Sequence, residues 1–227
     1  MTSRGHRRPA PPPLPLRKHT VLDELASSLG RDDEEPNVAL AGKLAANDDA
    51  AAIRMLVDHL RDERQAIAGD CIKVLYGIGA RKPELIGGHV DTFIDLLESK
   101  QSRLAWGAMT ALGAVAAIKA PEIARRIDAI IAATDRGSAI TQDWGVRVLA
   151  MVARKEPALR PRVMAFLLGL LDTCPPKDLP RHAESALLAA SSANKRALLD
   201  VLQRRRPTLN PSQGKRVDRV IATLSGA

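Results

Sequence analysis

Asp143, Trp144 and Arg147 place a carboxylate, an indole and a guanidinium close together in helix-forming sequence. These three groups could surround an extruded nucleotide, because aromatic rings stack on bases and arginine contacts phosphate. They could equally anchor a protein partner, because tryptophan and arginine are enriched among the residues that dominate protein interfaces. No second aromatic cluster lies beside them in the sequence, which weighs against the nucleotide interpretation.

Trp106 and Trp144 lie 38 residues apart, and each is followed by glycine. Equivalent positions in successive repeats would place the two indoles one above the other. They either anchor a partner on an exposed face or pack at the seam between repeats, where glycine lets helices approach closely. With neighbouring charges they form the candidate partner-binding set: Lys73, Arg103, Trp106, Asp143, Trp144 and Arg147.

A charged series runs through the middle of the chain, with acids at the ends of some helices and arginines near the starts of the next. Its members are Glu98, Asp135 and Asp172, followed by Arg103, Arg147 and Arg181. The planar guanidinium of arginine is suited to pairing with a carboxylate. The series therefore predicts a ladder of ion pairs, each joining an acid and an arginine across the turn within one repeat. The alternative is an arginine row that meets phosphates or acidic peptides.

Signatures of common enzymes are missing from the full sequence, which has no G-x-x-x-x-G-K-[ST], no H-E-x-x-H and no G-x-S-x-G. The five histidines show no metal-ligand spacing. Cys71 and Cys174 form no C-x-x-C pair, which predicts two buried, reduced thiols. The sequence therefore predicts no catalytic residue, no metal, no cofactor and no small-molecule substrate.

The net charge of +8 is concentrated at the two ends of the chain. Residues 1–20 carry basic side chains and no acid, residues 195–227 are strongly basic, and the middle is net acidic. This distribution argues against a continuous basic groove. It leaves an alternative function, association with nucleic acid through the basic ends. Its C-terminal candidates are Arg204, Arg205, Arg206, Lys215, Arg216 and Arg219.

Apolar residues recur at a spacing of 36 to 39 residues in four aligned stretches. The aligned positions are Val90, Ile127, Val163 and Val201; Leu60, Leu97, Thr134 and Leu171; and Leu85, Ile123, Leu159 and Leu198. A fixed period of this size is typical of a helical solenoid, in which each helix pair buries its apolar stripe against its neighbours. Aromatic residues make up only 2% of the chain, so the core is expected to be aliphatic.

The patterns predict three parts: a disordered, basic, proline-rich tail over 1–20, N-terminal capping helices with an acidic link over 21–46, and a solenoid over 47–227. The first capping helix should carry an apolar stripe from Leu22 to Leu29 and end at Gly30. Asn210 should cap the final helix. The predicted fold class is all-α, a right-handed α–α superhelix of about four to five helix pairs.

Three segments carry a family likeness: Asp70-Cys71-Ile72-Lys73-Val74-Leu75-Tyr76, Trp106-Gly107-Ala108-Met109-Thr110-Ala111-Leu112-Gly113 and Trp144-Gly145-Val146-Arg147-Val148-Leu149-Ala150. Over about residues 37–227 the chain resembles the HEAT-repeat (HEAT/armadillo-like) family, and 71–117 looks like a bacterial group of HEAT-repeat proteins without an assigned role. Its period is shorter than the roughly 40–47 residues usual for HEAT repeats, so an armadillo-like or mixed solenoid also fits. The resemblance implies scaffolding more often than catalysis. Asp143, Trp144 and Arg147 also resemble the residue types that HEAT-like alkylpurine DNA glycosylases place around their nucleotide.

The sequence as a whole predicts a non-catalytic adaptor or scaffold that binds a protein partner through the concave surface of the solenoid. Association with nucleic acid is the second interpretation, and a HEAT-like DNA glycosylase is the third. Proline-rich residues 9–15 stand where a secretion signal needs its apolar region, and no apolar run is long enough to cross a membrane. A cytoplasmic protein without a membrane partner is therefore expected.

Overall fold

The computed structural model of the protein describes residues 19–226, so almost all of the predicted tail, 1–20, lies outside the described residues. Within 19–226 the chain forms α-helices and short 3-10 turns, and no strand. The helices are α1 (Glu35–Asn47), α2 (Ala50–Asp58), α3 (Gln65–Gly79), α4 (Val90–Leu96), α5 (Ser102–Val115), α6 (Ala120–Ala124), α7 (Ile127–Arg136), α8 (Ala139–Lys155), α9 (Arg160–Thr173), α10 (Leu179–Ala186), α11 (Lys195–Arg205) and α12 (Pro211–Gly226).

The helices form the two layers of a solenoid. α1, α3, α5, α8, α10 and α12 stack in succession, each against the one before, and we call them the B helices. α2, α4, α7, α9 and α11 each pack on the B helix that follows in the chain, and we call them the A helices. The described residues thus contain five A–B pairs preceded by α1, which confirms the predicted all-α repeat superhelix.

The core lies between the two layers and follows the repeat. Val90, Ile127, Val163 and Val201, which share one repeat position, are all buried. Thr134 occupies a position that is leucine in other repeats and is also buried, where its hydroxyl donates to the Ile130 carbonyl at 2.7 Å. This hydrogen bond removes the cost of an unpaired buried hydroxyl.

The segment before α1 differs from the predicted helix. It contains a single 3-10 turn, Val21–Glu24, and Leu29 is 53% exposed. Gly30 has a φ of 68°, the left-handed conformation that glycine adopts without steric cost. Leu25 is nevertheless fully buried, and the Ser27 N–H donates to Asp70 Oδ2 at 2.8 Å. The segment therefore belongs to the packed body of the solenoid.

The last helix begins as the sequence predicts. The Gln213 N–H donates to Asn210 Oδ1 at 2.9 Å, and the Asn210 N–H donates to Gln213 Oε1 at 3.0 Å. This reciprocal capping satisfies backbone donors that the helix itself leaves unpaired. Within residues 19–226, none of the helices combines the length and the apolar character that a bilayer span requires.

Both cysteines are buried, unpaired thiols. Burial raises the pKa of Cys71 to about 12 and also raises that of Cys174. Because the thiolate is the attacking form, we expect neither residue to react with Ellman's reagent at neutral pH in the folded protein. Both should react at once in denaturant. Rapid reaction of one thiol under native conditions would show that its repeat opens locally, contrary to this packing.

Candidate partner-binding face

The outward surface of the B helices carries a row of aromatic side chains. Tyr76 of α3, Trp106 of α5 and Trp144 of α8 are each only partly buried. The rings of Tyr76 and Trp106 have centroids 5.9 Å apart and planes tilted by 51°, a favourable aromatic geometry. We call these three residues, with Lys73 and Arg147, the aromatic stripe.

Trp144 lies against α5 because position 113 is glycine. A Cβ atom built on Gly113 would stand 2.4 Å from Cε3 of the Trp144 ring, so any other residue there would displace the indole. Thr110, one turn earlier in α5, donates its hydroxyl to the Trp106 carbonyl at 2.9 Å. Trp144 therefore packs at the seam between two repeats and still keeps part of its ring exposed.

Two cations lie over the rings of the stripe. Lys73 Nζ is 5.1 Å from the Tyr76 centroid, and Arg147 Cζ is 5.5 Å from the Trp144 centroid. Both distances are within the range of cation–π attraction. Burial alone would lower the pKa of Lys73, but its hydrogen bonds with Glu34 and Tyr76 outweigh burial and raise that pKa. Lys73 therefore stays charged and is held in place.

Two open clefts adjoin Trp144 and share Arg147. The first, of about 470 Å³, lies between Tyr76 and Trp144, and we call it the aromatic cleft. Its floor is made of small residues at the C-terminal ends of α3 and α5: Gly79, Ala80, Gly113 and Ala114. The second, of about 240 Å³, lies on the other side of Trp144, and we call it the arginine cleft; besides Trp144 and Arg147 it contains Ile140, Asp143, Arg181 and Ser185.

Ion pairs connect successive B helices. Arg103 of α5 reaches back to Asp70 of α3 at 3.3 Å and to Glu34, just before α1, at 3.4 Å. Farther along the solenoid, Arg181 of α10 pairs with Asp143 of α8. The Asp70 side chain is only 6% exposed and also accepts the Ser27 N–H, so it joins three segments of the chain.

The predicted ladder of ion pairs between carboxylates and arginines of the same repeat is wrong. Within residues 19–226, neither Glu98 nor Asp135 forms an ion pair with an arginine of its own repeat, and Asp172 pairs with Arg204 of the next A helix at 2.8 Å. Arg147 lies over an indole instead of a carboxylate. Arg103 and Arg181 instead pair with carboxylates of the preceding B helix, because successive B helices pack directly on one another.

His182 holds Asp143 from the inner side. His182 is 1% exposed, and its Nε2 lies 3.0 Å from Asp143 Oδ1. Burial lowers the pKa of His182 below its ordinary value, although the Asp143 carboxylate acts in the opposite direction. The ring is therefore neutral near pH 7 and donates from Nε2 to the carboxylate.

This buried histidine leads to a pH-dependent stability. Since the pKa of His182 is lower in the folded than in the unfolded state, the unfolded chain binds the proton more tightly. We expect the Tm to fall as the pH drops from about 7.5 through about 6.5, where an unfolded histidine titrates. His182→Gln should flatten this fall, and the exposed His19→Gln should not. His89, whose pKa burial also lowers, should leave a residual slope. An unchanged profile in His182→Gln would contradict the assignment.

The basic C-terminal candidates are largely engaged within the chain. The pairs are Arg204 with Asp172 at 2.8 Å, Arg206 with Asp218 at 2.6 Å, and Arg216 with Glu184 at 2.6 Å. Arg205 donates to the carbonyls of Leu171 at 2.8 Å and Cys174 at 2.7 Å, near the end of α9. Four of the six candidates thus serve contacts between helices.

The structure brings most of the predicted partner-binding residues onto one surface. Lys73 and Trp106 meet around Tyr76, and the trio Asp143, Trp144 and Arg147 borders the arginine cleft, while Arg103 is occupied in the ion pairs described above. Tyr76 and Gly113 are not among the residues predicted for the site, and Arg181 is predicted only as part of the arginine row. A signal for Tyr76 was present, because it is the only tyrosine of the chain and follows Lys73 by three positions, on the same helix face.

No protein-family model matches the chain, and no curated protein matches it either. Several solved structures share the fold. A designed armadillo repeat protein in complex with the peptide (KR)4 has a TM-score of 0.65 at 15% identity, over 89% of this chain and 99% of that one. Computationally designed armadillo repeat proteins for modular peptide recognition give 0.61 at 16%, over 89% and 97%. An engineered protein from a structural genomics consortium gives 0.62 at 18%, over 91% and 99%. At these identities the likeness shows the fold, a HEAT/armadillo-like α-solenoid.

Proposed function

We propose that this HEAT/armadillo-like α-solenoid is a non-catalytic scaffold that binds a protein partner on the B-helix surface, through the aromatic stripe and its two clefts. A solenoid suits this task because stacked repeats present an extended, continuous surface. The partner-binding residues are Lys73, Tyr76, Trp106, Asp143, Trp144 and Arg147, with Arg103 supporting them through its ion pairs.

The proposal rests on one observation, the position of the aromatic residues on the B-helix surface. The chain has only five, and three of them stand partly exposed on neighbouring B helices within one surface. Tyr76 and Trp144 also pack against the core, and each keeps part of its ring at the surface. Aromatic and arginine side chains grouped at the centre of a surface are the usual energetic anchors of protein interfaces.

Two of the similar solved structures support a peptide-like partner. One is a designed armadillo repeat protein in complex with the peptide (KR)4, and the other group was designed for modular peptide recognition. They share the fold and not the sequence of this chain, so the support concerns the class of partner and not its identity. A solenoid surface built from successive helices offers a linear segment a contact on each repeat.

Neither competing function is favoured by the geometry. Association with nucleic acid through the C-terminal basic residues would either compete with the pairs that Arg204, Arg206 and Arg216 make with acids of this chain or rest on Lys215 and Arg219 alone. A DNA glycosylase site, which cleaves the bond between base and sugar, would require a free carboxylate. Both oxygens of Asp143 are engaged, one by Arg181 and the other by His182. These contacts leave the protein-binding interpretation as the one that uses the exposed groups.

Arg147→Glu tests the proposal. We expect partner capture from native lysate to weaken about tenfold or more, because Arg147 shapes both clefts and an acid there reverses their charge. The Tm should change little, since Arg147 is exposed, makes no ion pair within residues 19–226, and loses only a cation–π contact worth about 0.5–1 kcal/mol. The matched control is Arg196→Glu on α11, where the side chain is 88% exposed. Equal capture by both variants would remove the assignment.

Nuclease treatment and removal of residues 1–18 distinguish association with nucleic acid from binding of a protein partner. The shortened chain begins at residue 19 because Val21, Leu22 and Leu25 are part of the core. A partner held by the shortened chain after nuclease treatment supports the scaffold. Binding that needs nucleic acid, is lost with residues 1–18 and falls steeply with salt would support the alternative.

A further inference from the structure

The acids near the aromatic stripe are mostly paired with cations of the chain itself. Near the N-terminal end, two acids, Glu34 and Asp70, are balanced by two cations, Lys73 and Arg103, which contact them at 2.5 to 3.4 Å. Farther along the solenoid, Glu184 pairs with Arg216 at 2.6 Å. These acids are therefore already occupied and offer little to an incoming basic group.

Beside the two clefts, the charge of Arg147 is not compensated by the described part of the chain. Asp143, four positions earlier in α8, is engaged by Arg181 through one oxygen and by His182 through the other. Within residues 19–226 no carboxylate pairs with Arg147, which lies over the Trp144 ring and borders both clefts. A guanidinium held on an indole beside two open clefts is placed to receive a carboxylate.

Two of the polar side chains of the aromatic cleft, Arg147 and Trp144, can only donate hydrogen bonds, whereas the Tyr76 hydroxyl can also accept one. The floor consists of glycine and alanine at the C-terminal ends of α3 and α5, and the Thr110 hydroxyl donates to the Trp106 carbonyl. A segment that presents acceptors fits the donors of Arg147 and Trp144. Proline-rich backbone meets that condition because proline has a carbonyl and no N–H.

We propose that the partner segment is extended, proline-containing and acidic, with a carboxylate on Arg147 and proline rings between Tyr76 and Trp144. The proposal rests on the protein-binding function of this surface and names the chemistry of its ligand. Polyproline segments dock well in aromatic-lined grooves because they are already extended and lose little entropy on binding. A proline ring also packs on an aromatic face without needing a polar partner.

The test uses three blocked decapeptides as probes: alternating proline and glutamate, alternating proline and lysine, and alternating serine and glutamate. Binding is followed by tryptophan emission of the full chain, because its only two tryptophans, Trp106 and Trp144, both lie on the aromatic stripe. We expect the proline–glutamate peptide to bind at least about tenfold more tightly than either other probe. Arg147→Glu should reverse the preference toward the proline–lysine peptide, while Arg196→Glu should leave it unchanged.

Each remaining outcome counts against the inference. Equal or tighter binding of the proline–lysine peptide would show a site for basic segments, and equal binding of the serine–glutamate peptide would show that proline is not recognised. No binding of any probe up to about 1 mM would also overturn it. If Arg147→Glu still abolishes capture of a protein partner, the proposed function stands and only the ligand chemistry fails. If capture is unaffected, both fail.

Discussion

Replacing Leu75, Leu112 or Leu149 by alanine is expected to lower the free energy of unfolding by about 2–5 kcal/mol in each case. The three leucines lie 37 residues apart, one in each of the B helices α3, α5 and α8, and all are fully buried. Truncation removes their transfer free energy and leaves a cavity that neighbouring helices cannot close completely. Urea titration followed by circular dichroism measures the change.

The three substitutions also test the repeat itself. Equivalent positions in a regular solenoid should lose similar amounts of stability, because each leucine fills the same space between an A helix and two B helices. The control is Leu29→Ala, where the side chain is 53% exposed and a change within about 0.5 kcal/mol is expected. A loss below about 1 kcal/mol at any of the three leucines would contradict the burial of that B helix.

Gly113→Leu is expected to destabilise the protein by about 1–3 kcal/mol and to shift the tryptophan emission. The new Cβ would stand 2.4 Å from Cε3 of Trp144, so the indole must leave its place on α5. The same movement would close or distort the aromatic cleft, since Gly113 and Trp144 are both part of it. Partner binding should therefore fall together with stability.

Gly169→Leu is the matched control for this substitution. Gly169 also lies inside a helix, α9, but a Cβ there has nothing within 4 Å. Both substitutions gain helix propensity of about 0.5–1 kcal/mol, so their difference isolates the contact with Trp144. If Gly113→Leu were as stable as the control and kept the wild-type emission, the placement of Trp144 on α5 would be wrong.

The repeat architecture was predictable because it rests on apolar residues at fixed intervals. Val90, Ile127, Val163 and Val201 are buried as their shared position requires. Leu29 is the counterexample, since its spacing predicts a buried position and no segment within residues 19–226 covers it. A local pattern records which face of a segment is apolar, but it does not record whether another element reaches that face.

The surface was predictable only in part. Residue type and spacing indicated Trp106, Trp144 and Arg147. They did not indicate that Arg103 pairs with Asp70 and Glu34, which lie 33 and 69 positions earlier in the chain. Such pairs depend on how each B helix is rotated against the next, and the sequence of one repeat does not specify this rotation. For the same reason the contact of Trp144 with Gly113 could not be derived before the helices were placed.

The most direct test of the binding surface is site-specific photocrosslinking. A photoreactive amino acid is placed at Ala114 or Ser185 on the two clefts, and at Arg162 or Arg196 on the A helices as controls. The folded proteins are irradiated in native lysate after nuclease treatment, and the crosslinked peptides are sequenced by mass spectrometry. We expect the two cleft positions to capture the same protein segment and the A-helix positions to capture none of it. Capture of that segment from the A-helix positions, and not from the clefts, would contradict the assignment of the partner-binding surface to the B helices.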